Sequence, residues 1–167
     1  MGLRDRAVLL LLARLGLRAS DVAELCFADI DWEDGSVLVK GKSRREVRLP
    51  LPQEVGDAIL AYLVHRPGVQ DERVFLRCVA PFRGLPGSSV SQIVRRNMLR
   101  AGLTAPAYGS HILRHTAATE MLRRGVSLYD IGSVLRHRSA DMSAYYAKVD
   151  MDLLKQVVQP WPEVLSC

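Results

Sequence analysis

At 167 residues, 49% hydrophobic and 25% charged, the chain is long enough to bury one core and too apolar for an intrinsically disordered segment. Its net charge of +5 suits a surface that meets phosphates, because each Lys or Arg set against a DNA phosphate releases a condensed counterion, although many proteins that bind no anion are as basic. Cys26, Cys78 and Cys167 are odd in number, far apart and free of any CxxC pair, which argues against a disulfide framework or a cysteine zinc site and for a reducing cytoplasm.

Residues 3–17 are rich in leucine and apolar nearly all round, which predicts a buried helix. Their apolar run is bracketed by Arg4, Arg6, Arg14 and Arg18 and falls far short of the ~20 residues of a membrane span. Arg18 then closes this helix, and Ser20 caps a short second one over residues 21–27. From residue 30 to 51 the texture changes. Asp34-Gly35 signals a turn, residues 37–39 a strand, and Gly41-Lys42-Ser43 a second turn. Val47 and Leu49 alternate with Glu46 and Arg48 on another strand, so a small antiparallel sheet interrupts a helical chain.

Residues 52–65 return to helical spacing, and 66–87 read as a Pro- and Gly-rich loop with a short strand at 74–76. Residues 88–101 predict a basic helix bearing Arg95, Arg96 and Arg100, ended by Gly102. Ser110 opens a helix that Gly125 closes, and Ser127 with Asp130 forms a capping box over Leu128, Ile131, Val134 and Leu135. Shorter helical pieces follow around residues 141–149 and 152–158, before Pro160 and Pro162.

His111-Ile112-Leu113-Arg114-His115 carries the most information. Helical spacing puts 111, 114 and 115 on one face with Ala118, Met121 and Leu122, polar in the first turn and apolar beyond. An inward face that begins with two histidines and an arginine is costly unless those groups meet an anion or each other. The free N–H groups and the dipole of a first helical turn also favour a phosphate. The bland alternative is a surface helix start with incidental basic residues. A zinc pair at i, i+4 would lack the Glu of H-E-x-x-H and any near third ligand, so no metal is expected.

The other candidates are ambiguous singly. Arg18 reads as a dipole partner of its helix, Lys40 as a solvated neighbour of a turn, and Lys42, Arg44, Arg45 and Arg48 as a soluble hairpin before a DNA-contacting one. His137 follows the capped helix, and Tyr145 and Tyr146 lie on a small, polar segment where a tyrosine is ordinarily a half-buried packing residue.

In this order, however, the residues resemble the tyrosine recombinase (phage integrase) family. Gly16-Leu17-Arg18-Ala19-Ser20-Asp21-Val22 is similar to that family's first-arginine motif, Val39-Lys40-Gly41-Lys42 through Arg45 to its hairpin-lysine motif, and Ser110-His111-Ile112-Leu113-Arg114-His115 to its H-x-L-R-H signature. His137 and then Tyr146 complete the series, and the likeness runs from about Arg4 to Val149. Arg136 departs from it, standing where the family usually has a glycine before the third-motif histidine.

The resemblance implies a mainly α fold with a small antiparallel β-sheet (α+β). It implies a catalytic domain over residues 1–150 and a C-terminal helical tail over 151–167, suited to docking on a neighbouring subunit. An N-terminal helical domain that clamps the DNA would be absent, by truncation or natural reduction. The reaction implied is cleavage and rejoining of double-stranded DNA through a 3′-phosphotyrosyl link, with no cofactor. Tyr146 would be the nucleophile, Arg18 and Arg114 would bind the phosphate oxygens bidentately, and His111 would be the general base. Lys40 would protonate the leaving 5′ oxygen, and His137 would hydrogen-bond the phosphate. Asp21 and His115 would support, and Lys42, Arg44, Arg45, Arg95 and Arg96 would contact DNA. Self-association into a tetrameric synapse on DNA, a cytoplasmic location and no membrane contact follow from the same likeness. Type IB topoisomerase-like relaxation, a non-catalytic DNA-binding module and a protein-interaction domain remain the alternatives.

Overall fold

The computed structural model describes residues 2–40, 46–105 and 108–136. Helix α1 (Leu3–Leu15) is the centre of the packing, with Ala7, Val8, Leu11 and Leu12 wholly buried. It touches α2 (Ala19–Glu24), α3 (Gln53–Leu63), α4 (Gly87–Arg100) and α5 (Ser110–Arg123). An all-round apolar sequence is what a helix enclosed by four others requires. A second, smaller cluster of Ala118, Leu122, Ile131 and Leu135 packs α5 on α6 (Leu128–Val134). Ser127 caps α6 as expected, its Oγ accepting the Asp130 N–H at 3.1 Å.

Helix α1 stops two residues earlier than its apolar run. Gly16 takes a left-handed φ of 61°, and a Cβ there would lie 2.5 Å from Leu135 Cδ2, so both the backbone and the packing call for glycine. Arg18 is therefore not the end of α1 but the N-cap of α2, and Ser20 lies inside that helix. The cap works through Asp21, whose Oδ2 accepts the Arg18 main-chain N–H at 2.8 Å. Helix α2 ends at Glu24 rather than at residue 27, and the chain then makes a 3₁₀ turn over Phe27–Asp29.

The sheet is antiparallel in the order β1 (Ile30–Asp31), β2 (Ser36–Lys40), β3 (Glu46–Pro50), with Val37 opposite Leu49 and Lys40 opposite Glu46. Val37, Val39 and Leu49 bury the inner face, which fixes the register and leaves Lys40 exposed at the end of β2. Residues 74–76, expected as a strand, form no strand ladder but isolated pairings, Leu76 bridging Gly84, the Val74 N–H donating to the Leu25 carbonyl and the Leu85 N–H to that of Phe75. Burial rather than pairing explains their composition. Phe75 is fully enclosed and stacks on Tyr62, with ring centroids 5.5 Å apart.

Candidate active site

Three guanidiniums meet where α1 passes into α2 and where α6 ends. Arg114, 8% exposed in the first turns of α5, donates from Nη1 to the Gly16 carbonyl at 2.5 Å and from Nη2 to the Leu135 carbonyl. Arg18 donates from Nη2 to the Arg136 carbonyl at 2.8 Å. The Arg136 side chain returns the contact, pairing from Nη2 with Asp21 Oδ2, both side chains being 4% exposed. Two arginines far apart in sequence are thus drawn to one short stretch of backbone, and the buried Asp21 carboxylate pairs with the third, Arg136. Such a cluster of preset, always-charged donors is suited to a phosphate whose oxygens gain charge during reaction.

The predicted common face of 111, 114 and 115 is split. The buried side of α5 runs through Arg114, Ala117, Ala118 and Leu122, while His111 and His115 are exposed along one flank. Each residue advances ~100° round the axis, so residues 111 and 115 fall about 60° and 100° to the same side of Arg114. Partial burial, followed by the charges of His111 and Arg114, lowers the His115 pKa and favours the neutral imidazole.

Lys40 Nζ lies 2.5 Å from Asp29 Oδ1, the lysine side chain 56% and the aspartate 5% exposed. Polar contact with Asp29, and then its charge, raises the Lys40 pKa, so the ammonium is the settled form. Asp29 is itself held in place, its Oδ2 accepting the Cys26 N–H at 3.0 Å. A cavity of about 190 Å³ is lined by Lys40, Asp29 and Asp21, so the lysine borders the same concavity as the counterion of Arg136.

Asp21, expected to orient Arg18, does so at the main chain while its charge is taken by Arg136. Arg95 is exposed, and Arg96 is tied to the buried Asp5 on α1 at 2.5 Å. His137, Tyr145, Tyr146, Lys42, Arg44, Arg45 and the tail 151–167 lie outside the described residues. Asp29 and the side chain of Arg136 were not anticipated as parts of the site. A signal for the latter existed: residue 136 directly follows the C-cap of α6, where a left-handed residue is common. Among the described residues no group of three or more His, Cys, Asp or Glu could hold a metal ion, and no helix is long and apolar enough to cross a membrane.

A model of the phage integrase family matches residues 1–152. Integrase/recombinase y4rA of Sinorhizobium fredii is 51% identical over 164 residues, covering 97% of this chain and 40% of its own length. Integrase/recombinase y4gC of the same organism is 38% identical, covering 96% and 84%. Tyrosine recombinase XerC of Syntrophus aciditrophicus is 29% identical, covering 93% and 52%. The chain thus spans 40% of the y4rA relative and about half of XerC. Among solved structures, XerA recombinase matches with a TM-score of 0.79 at 23% identity, over 92% of this chain and 55% of that one. XerH site-specific recombinase, in a post-cleavage complex with a palindromic difH substrate, matches with the same TM-score and identity over 92% and 44%. At that identity the structures speak for the fold alone.

Proposed function

This chain belongs to the phage integrase family, and on that premise we propose that it cuts and rejoins duplex DNA as the catalytic part of a tyrosine site-specific recombinase. The observation that carries the reading is the meeting of Arg18 and Arg114 on the backbone of residues 135–136, immediately before His137. It supports a phosphate seat shared by two guanidiniums, just ahead in sequence of the stretch that bears the proposed nucleophile.

In this reading the Tyr146 hydroxyl attacks phosphorus and passes its proton to His111, exposed on α5. The bond to the 5′ oxygen breaks, and Lys40 donates the proton that this oxygen needs to leave. Arg18 and Arg114 bind the non-bridging oxygens as their charge grows, with a hydrogen bond from His137. A 5′ hydroxyl attacking the 3′-phosphotyrosyl link reverses the step, and the retained ester bond makes an energy source unnecessary.

Pairing of two DNA sites requires several copies, and the assembly proposed is a tetramer on DNA. The tail residues Leu153, Leu154, Val157, Val158, Trp161 and Leu165 are apolar enough to dock on a neighbouring copy. An open apolar groove of about 590 Å³ between α1, α4 and α5 offers a matching surface. A cytoplasmic location, where bacterial and phage DNA is found, is part of the same proposal. Binding to duplex DNA should weaken steeply with salt, each phosphate contact adding ~0.9 to the slope of log K against log salt.

The test is covalent trapping. The whole chain is incubated with a pool of nicked duplexes of randomised core, and protein-linked fragments are resolved on a denaturing gel and sequenced. The wild type and Tyr145→Phe should yield the linked species and Tyr146→Phe should not. Its absence from the wild type would favour a non-catalytic DNA-binding module.

A further inference from the structure

We propose that Arg136 is a third phosphate-binding guanidinium of this site, taking a non-bridging oxygen of the scissile phosphate with the donors that Asp21 leaves unused. The proposal rests on the cleavage reaction proposed above and adds a residue to it.

Three independent features point the same way. The first is the backbone. Arg136 has a φ of 54°, in the left-handed region that a long L side chain adopts only at a cost and that glycine adopts freely. Glycine would serve the turn better, so a large side chain at this position is retained for what it touches. The second is the hydrogen-bond inventory. Asp21 occupies Nη2, but Nε and Nη1 are buried and have no hydrogen-bond partner among the described residues. Buried cationic N–H groups without acceptors are uncommon in folded proteins, and a bound anion is one of the few things that satisfies them. The third is the charge. Among the described residues Arg136 pairs with one carboxylate, Asp21, whose Oδ2 is already shared with the Arg18 N–H. A carboxylate so shared balances the Arg136 cation incompletely before DNA arrives. A phosphodiester supplies one negative charge, and more develops on its oxygens as the nucleophile adds.

Asp21 acts here as a positioning residue. It fixes the guanidinium by Nη2 and leaves the Nε and Nη1 N–H groups, which point to different sides of the plane's rim, as separate donors, either of which can take one phosphate oxygen. The Arg136 carbonyl meanwhile holds Arg18, so one residue would position one phosphate ligand with its main chain and be another with its side chain.

A duplex recovered from the trapping pool provides the probe, made with a phosphodiester and with each diastereomer of a phosphorothioate at the cleaved position. Single-turnover cleavage is measured for the wild type, Arg136→Gly and Arg136→Lys. Removing one charge-stabilising donor group should slow cleavage of the phosphodiester by ~10²-fold. The glycine relaxes the backbone but leaves the buried Asp21 carboxylate without its partner, so melting temperatures are measured alongside, and the lysine, which keeps a charge beside Asp21, guards against a variant that unfolds. The deciding quantity is the slowing caused by sulfur. If Arg136 touches an oxygen, one diastereomer slows the wild type markedly and slows both variants much less. Equal sulfur effects in all three proteins would reduce Arg136 to a strut between α6 and α2 and overturn the proposal. A wild-type chain that never links to DNA would instead overturn the reaction itself, a result distinguishable from the first.

Discussion

The arginine junction and the hairpin lysine hold their cations in opposite ways. Arg114 is enclosed and spends two donors on the Gly16 and Leu135 carbonyls, so its guanidinium is a structural tie between α1 and α6 before it can be anything else. Lys40 stands more than half exposed at a strand end, held by the single carboxylate of Asp29. The chemistry required of each explains the contrast. A guanidinium never gives up its proton, so it can be fixed in advance where charge will develop. A general acid must lose a proton and regain it, and an exposed ammonium on a short leash can do both.

The largest expected effects separate the two regions. Lys40→Ala should lower the cleavage rate by ~10²–10⁴-fold and cost less stability than loss of a buried arginine, because it removes a proton donor and an exposed partner of Asp29 but no packing. A substrate with sulfur in place of the bridging 5′ oxygen leaves without a proton and should restore that variant. Arg114→Ala should lose both rate and stability, since each buried carbonyl left without a donor costs ~1–3 kcal/mol. The sulfur leaving group should not rescue it. Equal melting curves for the two variants would break the contrast drawn above.

Next comes the packing under the junction. Gly16→Ala places a residue at φ 61° and a methyl 2.5 Å from Leu135 Cδ2. Backbone strain of ~1–2 kcal/mol and overpacking of ~1–3 kcal/mol both apply. Leu135→Ala alone should cost ~2–5 kcal/mol as a cavity, but less in the Gly16→Ala background, where the clash is relieved. Urea midpoints of the four proteins give the coupling. Strict additivity would mean that the α1 end and the α6 end do not bear on each other.

The sequence displays much of this arrangement and hides a definite remainder. Residue types and spacing were enough for the described helices and the antiparallel strands, while the order of Arg18, Lys40, His111 and Arg114 took its meaning from the family resemblance. Which side each faces was not, because the stripe of α5 is decided by α1 and α6, and these bury Arg114 while leaving His111 and His115 at its flank. Ser20 looked like a cap by type, yet Arg18 takes that place because Asp21 reaches its main-chain N–H. The short run at 74–76 read as a strand because sheet and core use the same residues. Arg96 read as a DNA contact, and its pairing with Asp5 across two helices has no local signature.

The hairpin end of the comparison can be sharpened by pH. Asp29 raises the Lys40 pKa, first by direct contact and then by charge. The protonated form is the active general acid, so cleavage falls as pH rises through that pKa, and a raised pKa carries the fall to higher pH. Asp29→Asn keeps an oxygen to accept the Cys26 N–H but removes the charge, and should move the alkaline limb of the rate profile to lower pH. A limb that stays in place would show that Lys40 leaves Asp29 once DNA is bound.

The smallest expected effect lies on the flank of the arginine junction. His115 has a lowered pKa, chiefly from partial burial and then from the like charges of His111 and Arg114. A histidine in the unfolded chain titrates near ~6.5, so as pH falls the unfolded state takes up this proton first. The stability contributed by a neutral His115 is therefore complete above the unfolded pKa and is lost as pH drops from there toward the folded value. Exposure and solvent screening keep the contribution small. Urea midpoints at about pH 7.5 and about pH 5 should fall less in His115→Gln than in the wild type. His111→Gln removes one of the two charges and should reduce the difference by part, leaving the burial effect. Identical acid losses in His115→Gln and the wild type would mean that His115 titrates alike in the folded and unfolded chain, so that neither its partial burial nor the neighbouring charges act on it.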